Sequence, residues 1–335
     1  MLFSKKAHSK VVSMKNIYIF CLLILPFGVV LAQQPAQFSL YMFNPYGENC
    51  AAGGLEKTVV GTAGFRAQWV GLQGSPQTQY INVSLPLNII SSGVGFQVKN
   101  ESIGARNGLE AKLTYNYIKN LGDAQLSFGV AGGILQGTID GAKLRTPGGD
   151  YNQGVIDHQD KILNSVSLNG IVPTFDAGVF FKTEKINAGI FFGNLTEPTL
   201  SLVSQKVTET RLKRHYSVFV GSDFNVSSNL SLHPSVMIRS DIVQTQAEFS
   251  TFVRYNDNFF LGGSFRGFSK TTQDAATIFG GFKLSSKLTL AYAYDITVST
   301  LKSATQGGHE IVLQYNLGKE FGGGKLPPVI YNPRF

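Results

Sequence analysis

A histidine flanked by hydroxyls is the arrangement in this chain that could do chemistry. Beyond residue 32 the imidazoles are His158, His215, His233 and His309. His233 has Ser231 and Ser235 at i±2, the spacing that puts three side chains on one face of a strand. A hydrolase needs its hydroxyl within hydrogen-bond reach of the imidazole that activates it. Same-face neighbours stand about 7 Å apart along a strand, which predicts that these groups do not touch. A barrel lipase or deacylase remains the reading to test by His233→Ala. No Gly-x-Ser-x-Gly, Cys-x-x-Cys or His-Glu-x-x-His occurs. Cys50 is a lone thiol without a ligand set. Asp140, Asp150, Asn152, Asp157 and Asp160 could gather oxygen ligands for Ca²⁺, but their spacing matches no EF-hand. Turn chemistry accounts for them better. The expectation is a protein that is not an enzyme, with no cofactor and no metal.

The elements that would position these residues begin after a leader. Lys5, Lys6, Lys10 and Lys15 precede an apolar run from Ile17 to Leu31, and Val30-Leu31-Ala32 offers a cleavage site. That is a signal peptide over residues 1–32. The run has 15 residues, short of the roughly 20 that a spanning helix needs. With 25 basic residues left against 21 acidic ones, the charge falls from +8 to +4. No block of Lys or Arg tracks phosphates, which excludes nucleic acid as a partner.

The remaining 303 residues carry no linker, although a soluble chain of that size would usually divide into domains. Charged residues make up only 15%, against roughly 25% in soluble proteins, while Phe 25, Tyr 13 and Gly 37 are abundant. The mean hydropathy of +0.04 is too low for a helical membrane protein and fits alternating strands.

Alternation is explicit. Leu288, Leu290, Tyr292 and Tyr294 share one face, with Thr289, Ala291, Ala293 and Asp295 on the other. Ile311, Leu313, Tyr315 and Leu317 oppose Glu310, Val312, Gln314 and Asn316. A soluble sandwich would alternate in the same way. Connection lengths separate the two. The pattern predicts about fourteen strands, at 58–69, 77–86, 93–101, 107–119, 124–136, 173–182, 186–194, 214–226, 230–240, 245–255, 259–268, 273–284, 287–298 and 309–317. The even connections are tight turns, as a group rich in Asn, Asp, Ser and Gly, whereas the longest two, Gly137 to Val172 and Leu195 to Lys213, are odd. Short turns on one rim and long loops on the other mark an all-β antiparallel transmembrane barrel, with short periplasmic turns and longer extracellular loops. The predicted organisation is a signal peptide at 1–32, an N-terminal periplasmic segment at 33–57, the outer-membrane barrel at 58–318 and a periplasmic tail at 319–335.

Several sequence pieces then point to a family. They are Gln37-Phe38-Ser39-Leu40-Tyr41-Met42-Phe43-Asn44-Pro45, Phe65-Arg66-Ala67-Gln68-Trp69-Val70-Gly71-Leu72, Gly74-Ser75-Pro76-Gln77-Thr78-Gln79 and the final Pro333-Arg334-Phe335. In this order they resemble the PorP/SprF family of the Bacteroidetes type IX secretion system. The resemblance spans the mature chain. It implies an outer-membrane barrel that associates with the periplasmic ring and lipoprotein components, or accompanies a large adhesin to the surface, in some species for gliding motility. It departs after the opening motif, where the family usually has a small-residue stretch and this chain reads Asn44-Pro45-Tyr46-Gly47-Glu48-Asn49-Cys50-Ala51-Ala52-Gly53, with Glu48-Asn49-Cys50 insertion-like.

The resemblance marks Phe38, Tyr41, Asn44, Pro45, Arg66, Gln68, Trp69, Gly71, Gln79, Pro333, Arg334 and Phe335 as candidate partner contacts. Trp69, the sole tryptophan, reads first as an interfacial belt aromatic, and the family motif keeps the partner contact open. Arg66, Gln68, Gln79 and Asn82, like Glu110, Lys112, Arg239, Glu248 and Arg254, are expected on inward polar faces, lining a passage or bonding one another. Two functions follow from different classes. One is a non-enzymatic accessory of type IX secretion that works by binding protein partners and sits in outer-membrane lipid. The other is a diffusion channel for small solutes, since fourteen strands enclose more lumen than eight.

Overall fold

The computed structural model describes residues 36–151, 156–159, 166–202, 208–269 and 272–320. The predicted leader, Asn152, Asp160 and the end of the tail, with Pro333, Arg334 and Phe335, lie outside them. Fourteen strands form one antiparallel sheet: β1 (Thr58–Ala67), β2 (Gln77–Leu87), β3 (Ser92–Ile103), β4 (Arg106–Leu121), β5 (Ala124–Asp140), β6 (Ser167–Lys182), β7 (Ile186–Gly193), β8 (His215–Ser222, resumed over Phe224–Ser227), β9 (Leu230–Ser240), β10 (Thr245–Tyr255), β11 (Phe259–Arg266), β12 (Ala275–Lys283), β13 (Leu288–Thr297) and β14 (Gly308–Glu320). Each pairs with its chain neighbours, and β1 pairs with β14, Phe65 opposite Ile311, so the sheet closes.

Period two decides which side chain goes where. On β4, Leu113 is 73% exposed while its neighbours Thr114 and Lys112 are buried. Leu261 on β11 is 68% exposed beside buried Phe260. The outward faces of all strands carry such apolar residues. They suit hydrocarbon, and closure leaves no strand edge unpaired in lipid. The short turns gather on one rim; in the three-residue turn between the paired Tyr255 and Phe259, Asn256 and Asp257 both take the left-handed backbone that Asn and Asp tolerate, with φ near 50°. The first residue of β1 pairs with the last of β14, Thr58 with Glu320, on that same rim.

The ladder extends strands that the alternation alone left shorter. β5 continues to Asp140 and β6 begins at Ser167, with Asp140 opposite Ser167. Glycines and Pro173 interrupt the apolar alternation there, but they do not stop backbone pairing. The long connection after β7 also contains a hairpin, Thr199–Leu202 against Thr208–Arg211. Its Leu200 and Leu202 pack with Leu212 on Val172, Leu135, Ile139 and Leu168, inward positions of β5 and β6. The hairpin therefore folds over the mouth of the barrel. The paired Gly137 and Gly170 make room for it, since a Cβ on Gly137 would sit 2.3 Å from Leu200.

The largest difference from expectation is the N-terminal segment. It was expected beside the barrel, in the periplasm. Its described part, residues 36–57, instead folds inside the lumen, against inward side chains from both halves of the wall. Fourteen strands enclose more space than their own side chains fill, and this segment fills it.

Candidate functional site

The plug is built from short turns. Tyr41–Phe43 forms a 3₁₀ turn and Pro45–Glu48 one helical turn. Proline suits the first helical position, and the Asn44 side chain caps the turn by accepting from the Gly47 amide at 3.2 Å. Asn49 caps the next turn, Cys50–Ala52, through the Ala51 amide at 2.9 Å. The stretch that departs from the family pattern thus forms two capped turns.

Two apolar pads hold the plug. Leu40 is buried among Tyr80, Phe252, Phe260, Phe279, Ala291, Ala293 and Val312, with Phe38, Met42 and Phe43 packed alongside. Tyr46, Ala51, Ala52 and Leu55 bury against Ile118 and Phe180. The Phe38 ring meets Tyr80 edge-on at 4.8 Å, and Phe43 lies 4.5 Å from Phe260. Each such buried side chain contributes about 1.5–3 kcal/mol.

Between plug and wall runs a buried charge network centred on Ser39. Its hydroxyl donates to Asp295 Oδ1 at 2.7 Å and accepts from Arg66 Nη1 at 3.0 Å and Arg266 Nη2 at 2.7 Å. One donor and two acceptors exhaust a hydroxyl. The Ser39 amide donates to Glu310 Oε2 at 2.7 Å. Arg66 pairs with Asp295 and Glu310, and Arg266 with Glu248 and Asp274. Tyr41 is fully buried, and its hydroxyl reaches Ser235 and Ser250 at 3.1 and 3.0 Å. Glu48 pairs with Arg239 at 3.1 Å. A second network, Lys99–Glu110–Lys112–Asp176, lies nearer the long-loop rim.

The plug divides the lumen. On the long-loop side remains a cavity of about 180 Å³, bordered by Lys99, Glu110, Lys112, His215 and the hairpin flank Leu212–Lys213. On the short-turn side is one of about 550 Å³, bordered by Phe43, Phe252, His233, Arg254 and Asn316. Between them lies a small void of about 10 Å³, bordered by Tyr41, Pro45, Phe180, Phe219 and Met237. That holds at most one water.

The barrel is closed, and its own N-terminal residues fill it. The profile for type IX secretion system membrane proteins PorP/SprF matches residues 30–315. The chain belongs to the PorP/SprF family. It is an outer-membrane component of type IX secretion. No curated protein matches the sequence. Similar solved structures include a FadL homologue of Pseudomonas aeruginosa, at 11% identity, TM-score 0.44, over 80% of this chain and 92% of that one. The toluene transporter TbuX of Ralstonia pickettii shows 11% identity, TM-score 0.47, over 82% and 92%. Omp33 of Acinetobacter baumannii shows 6% identity, TM-score 0.42, over 77% and 96%.

The PorP/SprF signature residues divide into groups. Phe38, Tyr41, Asn44, Pro45 and Arg66 come together as plug and plug seat. Gln68, Trp69 and Gly71 stand instead on the long-loop rim, where the Gln68 amide donates to Pro76 at 2.9 Å and the 69–71 turn pairs with Gly307. Trp69 takes φ 53°, rare for a non-glycine residue, and Gly71 takes φ 98°, which glycine adopts freely. Gln79 corrects an expectation. It faces outward, exposed, opposite Phe65, because 79 and 82 differ in parity. Asn82, Glu110, Lys112, Arg239, Glu248 and Arg254 do face inward. In the acidic loop, Asp140 and Asp157 accept from the amides of Ala142 and Gln159, as turn residues do.

Sequence reasoning missed the roles of Ser39, Arg266, Asp295 and Glu310. A signal for the pads was present in inward-parity aromatics: Phe252 follows Glu248 and Ser250 on one face of β10, and Phe260 shares a face with Ser264 and Arg266. Wall glycines also mark the plug seat. A Cβ on Gly129 would lie 2.5 Å from the Ala51 backbone, so only glycine admits the plug there. Gly129→Val is expected to cost about 1–3 kcal/mol of unfolding stability. It is also expected to loosen the plug around Cys50. Burial pushes the Cys50 thiol up to about 12, which keeps it a thiol at pH 8. Maleimide should label native Cys50 very slowly and the variant markedly faster; equal rates would refute the tight seat.

Proposed function

We propose that this PorP/SprF barrel serves type IX secretion by binding proteins rather than by conducting solutes. The observation that supports this is the plug, whose residues pack across the lumen against both halves of the wall. Its short-turn rim, the end of β14 and the cavity beneath the plug face the periplasm and would meet ring or lipoprotein components. Its long loops, Trp69 and the inward-folded hairpin would meet an exported adhesin, in a gliding organism one used for motility. Lipid surrounds the outward aromatics. Binding of this kind needs no cofactor and no small-molecule substrate.

Deleting the gene and profiling surface and secreted proteins tests the role. At least one type IX cargo is expected to disappear from the surface while the rest of the outer membrane is unchanged. Normal delivery of every cargo would end this reading. The diffusion-channel alternative predicts steady conductance by the intact protein in a planar bilayer.

A further inference from the structure

Ser231 and His233 are not too far apart. Their side chains lean toward one another along β9, and Ser231 Oγ lies 2.7 Å from His233 Nε2. His233 Nδ1 hydrogen-bonds the carboxylate of Asp223, in the break of the neighbouring β8. A carboxylate only accepts, so the proton sits on Nδ1 and Nε2 is left to accept from the serine. The ring is held flat on Phe252, 4.4 Å away at 12°. Arg254, the cross-strand partner of Ser231, faces the same cavity, with its guanidinium 5.6 Å from that ring. Among the described residues no carboxylate pairs with Arg254. All four residues border the 550 Å³ periplasmic cavity, whose walls include Phe43, Phe180 and Phe219.

A polar cluster that merely satisfied itself would need neither open space at Oγ nor an unpaired cation beside it. We propose that this cavity is a second functional site, a hydrolase for carboxylic esters with an apolar acyl group. Ser231 Oγ attacks the carbonyl carbon, and its proton passes to His233 Nε2. Arg254 balances the charge that develops on the carbonyl oxygen. The C–O bond to the alcohol breaks, and His233 returns the proton to the leaving alkoxide. Water then attacks the acyl-serine carbonyl and gives its proton to His233; the C–Oγ bond breaks, and His233 returns that proton to Ser231 Oγ as the carboxylic acid leaves. Ser231, His233 and Arg254 act on the reacting atoms; Asp223 positions the imidazole. The site would draw its ester from the periplasm and is independent of the secretion role.

The purified full-length barrel in detergent, treated with an ethyl fluorophosphonate and digested, tests this directly. Heat-modifiable gel migration would verify folding of every variant. The expected result is an adduct on Ser231 and hydrolysis of p-nitrophenyl butyrate. Both rates should fall about 10²–10⁴-fold in His233→Gln and vanish in Ser231→Ala. Asp223→Asn should slow acylation, and Asp223→Glu should restore part of it, which a purely structural role would not produce. An unmodified Ser231 in the folded barrel, a labelling rate indifferent to His233→Gln, or labelling without turnover each overturns the proposal.

Discussion

Arg266→Met is expected to cost the barrel about 3–5 kcal/mol and to free its N-terminal segment. Arg266 is 0% exposed, and its guanidinium serves Glu248, Asp274 and Ser39 at once. Methionine fills much of the space but leaves the buried Glu248 with the Ser264 hydroxyl at 2.8 Å and, for charge, only the 3.9 Å contact to Arg239. Asp295 also loses the second of its two arginines. A buried charge without its partner costs far more than the intact pair contributes. The loss should reach the plug, because the Ser39 hydroxyl holds plug to wall through both Arg66 and Arg266. Trp69 fluorescence during urea unfolding would report stability, and Cys50 labelling would report plug release separately. Adding Glu248→Gln should recover part of the stability, since the two sites share one network. A loss under about 1 kcal/mol would show that the network contributes nothing beyond solvation.

Removing residues 36–55 is expected to turn a closed barrel into a conducting one. The wall should survive, because its ladders close through β1 and β14 without help from the plug. Stability should still fall, since Phe252, Phe260 and Phe279 would face water, each at roughly 1.5–3 kcal/mol. A fourteen-stranded lumen lies between eight strands, which side chains fill, and sixteen, which leave an aqueous channel. Planar-bilayer recordings should therefore show a near-silent intact protein and ohmic current from the deletion variant. Equal currents from both would refute the plug and, with it, the main support for a binding role. Strong current from the intact protein would instead favour the channel.

The sequence alone determined the wall. Alternation such as Leu288 to Asp295 assigns each side chain to lipid or lumen because strand geometry repeats every two residues and needs only local information. The parity of connection lengths oriented the barrel for the same reason: a turn is written in a few adjacent residues. What fills the lumen was decided by tertiary structure. Ser39 and Glu310 meet across 271 residues of sequence, and no period relates them. Inward positions accept arginine, serine, glycine or phenylalanine, so Arg66 and Phe252 could not be read as plug contacts until the segment lay against them. Ser231 and His233 show the same limit at short range. Spacing fixes the distance between their Cα atoms, but the hydrogen bond depends on side-chain rotation, which Asp223 and Phe252 from neighbouring strands select. Backbone periodicity is local and legible; closure brings distant, aperiodic residues into one confined volume, and only there do their charges and shapes choose partners.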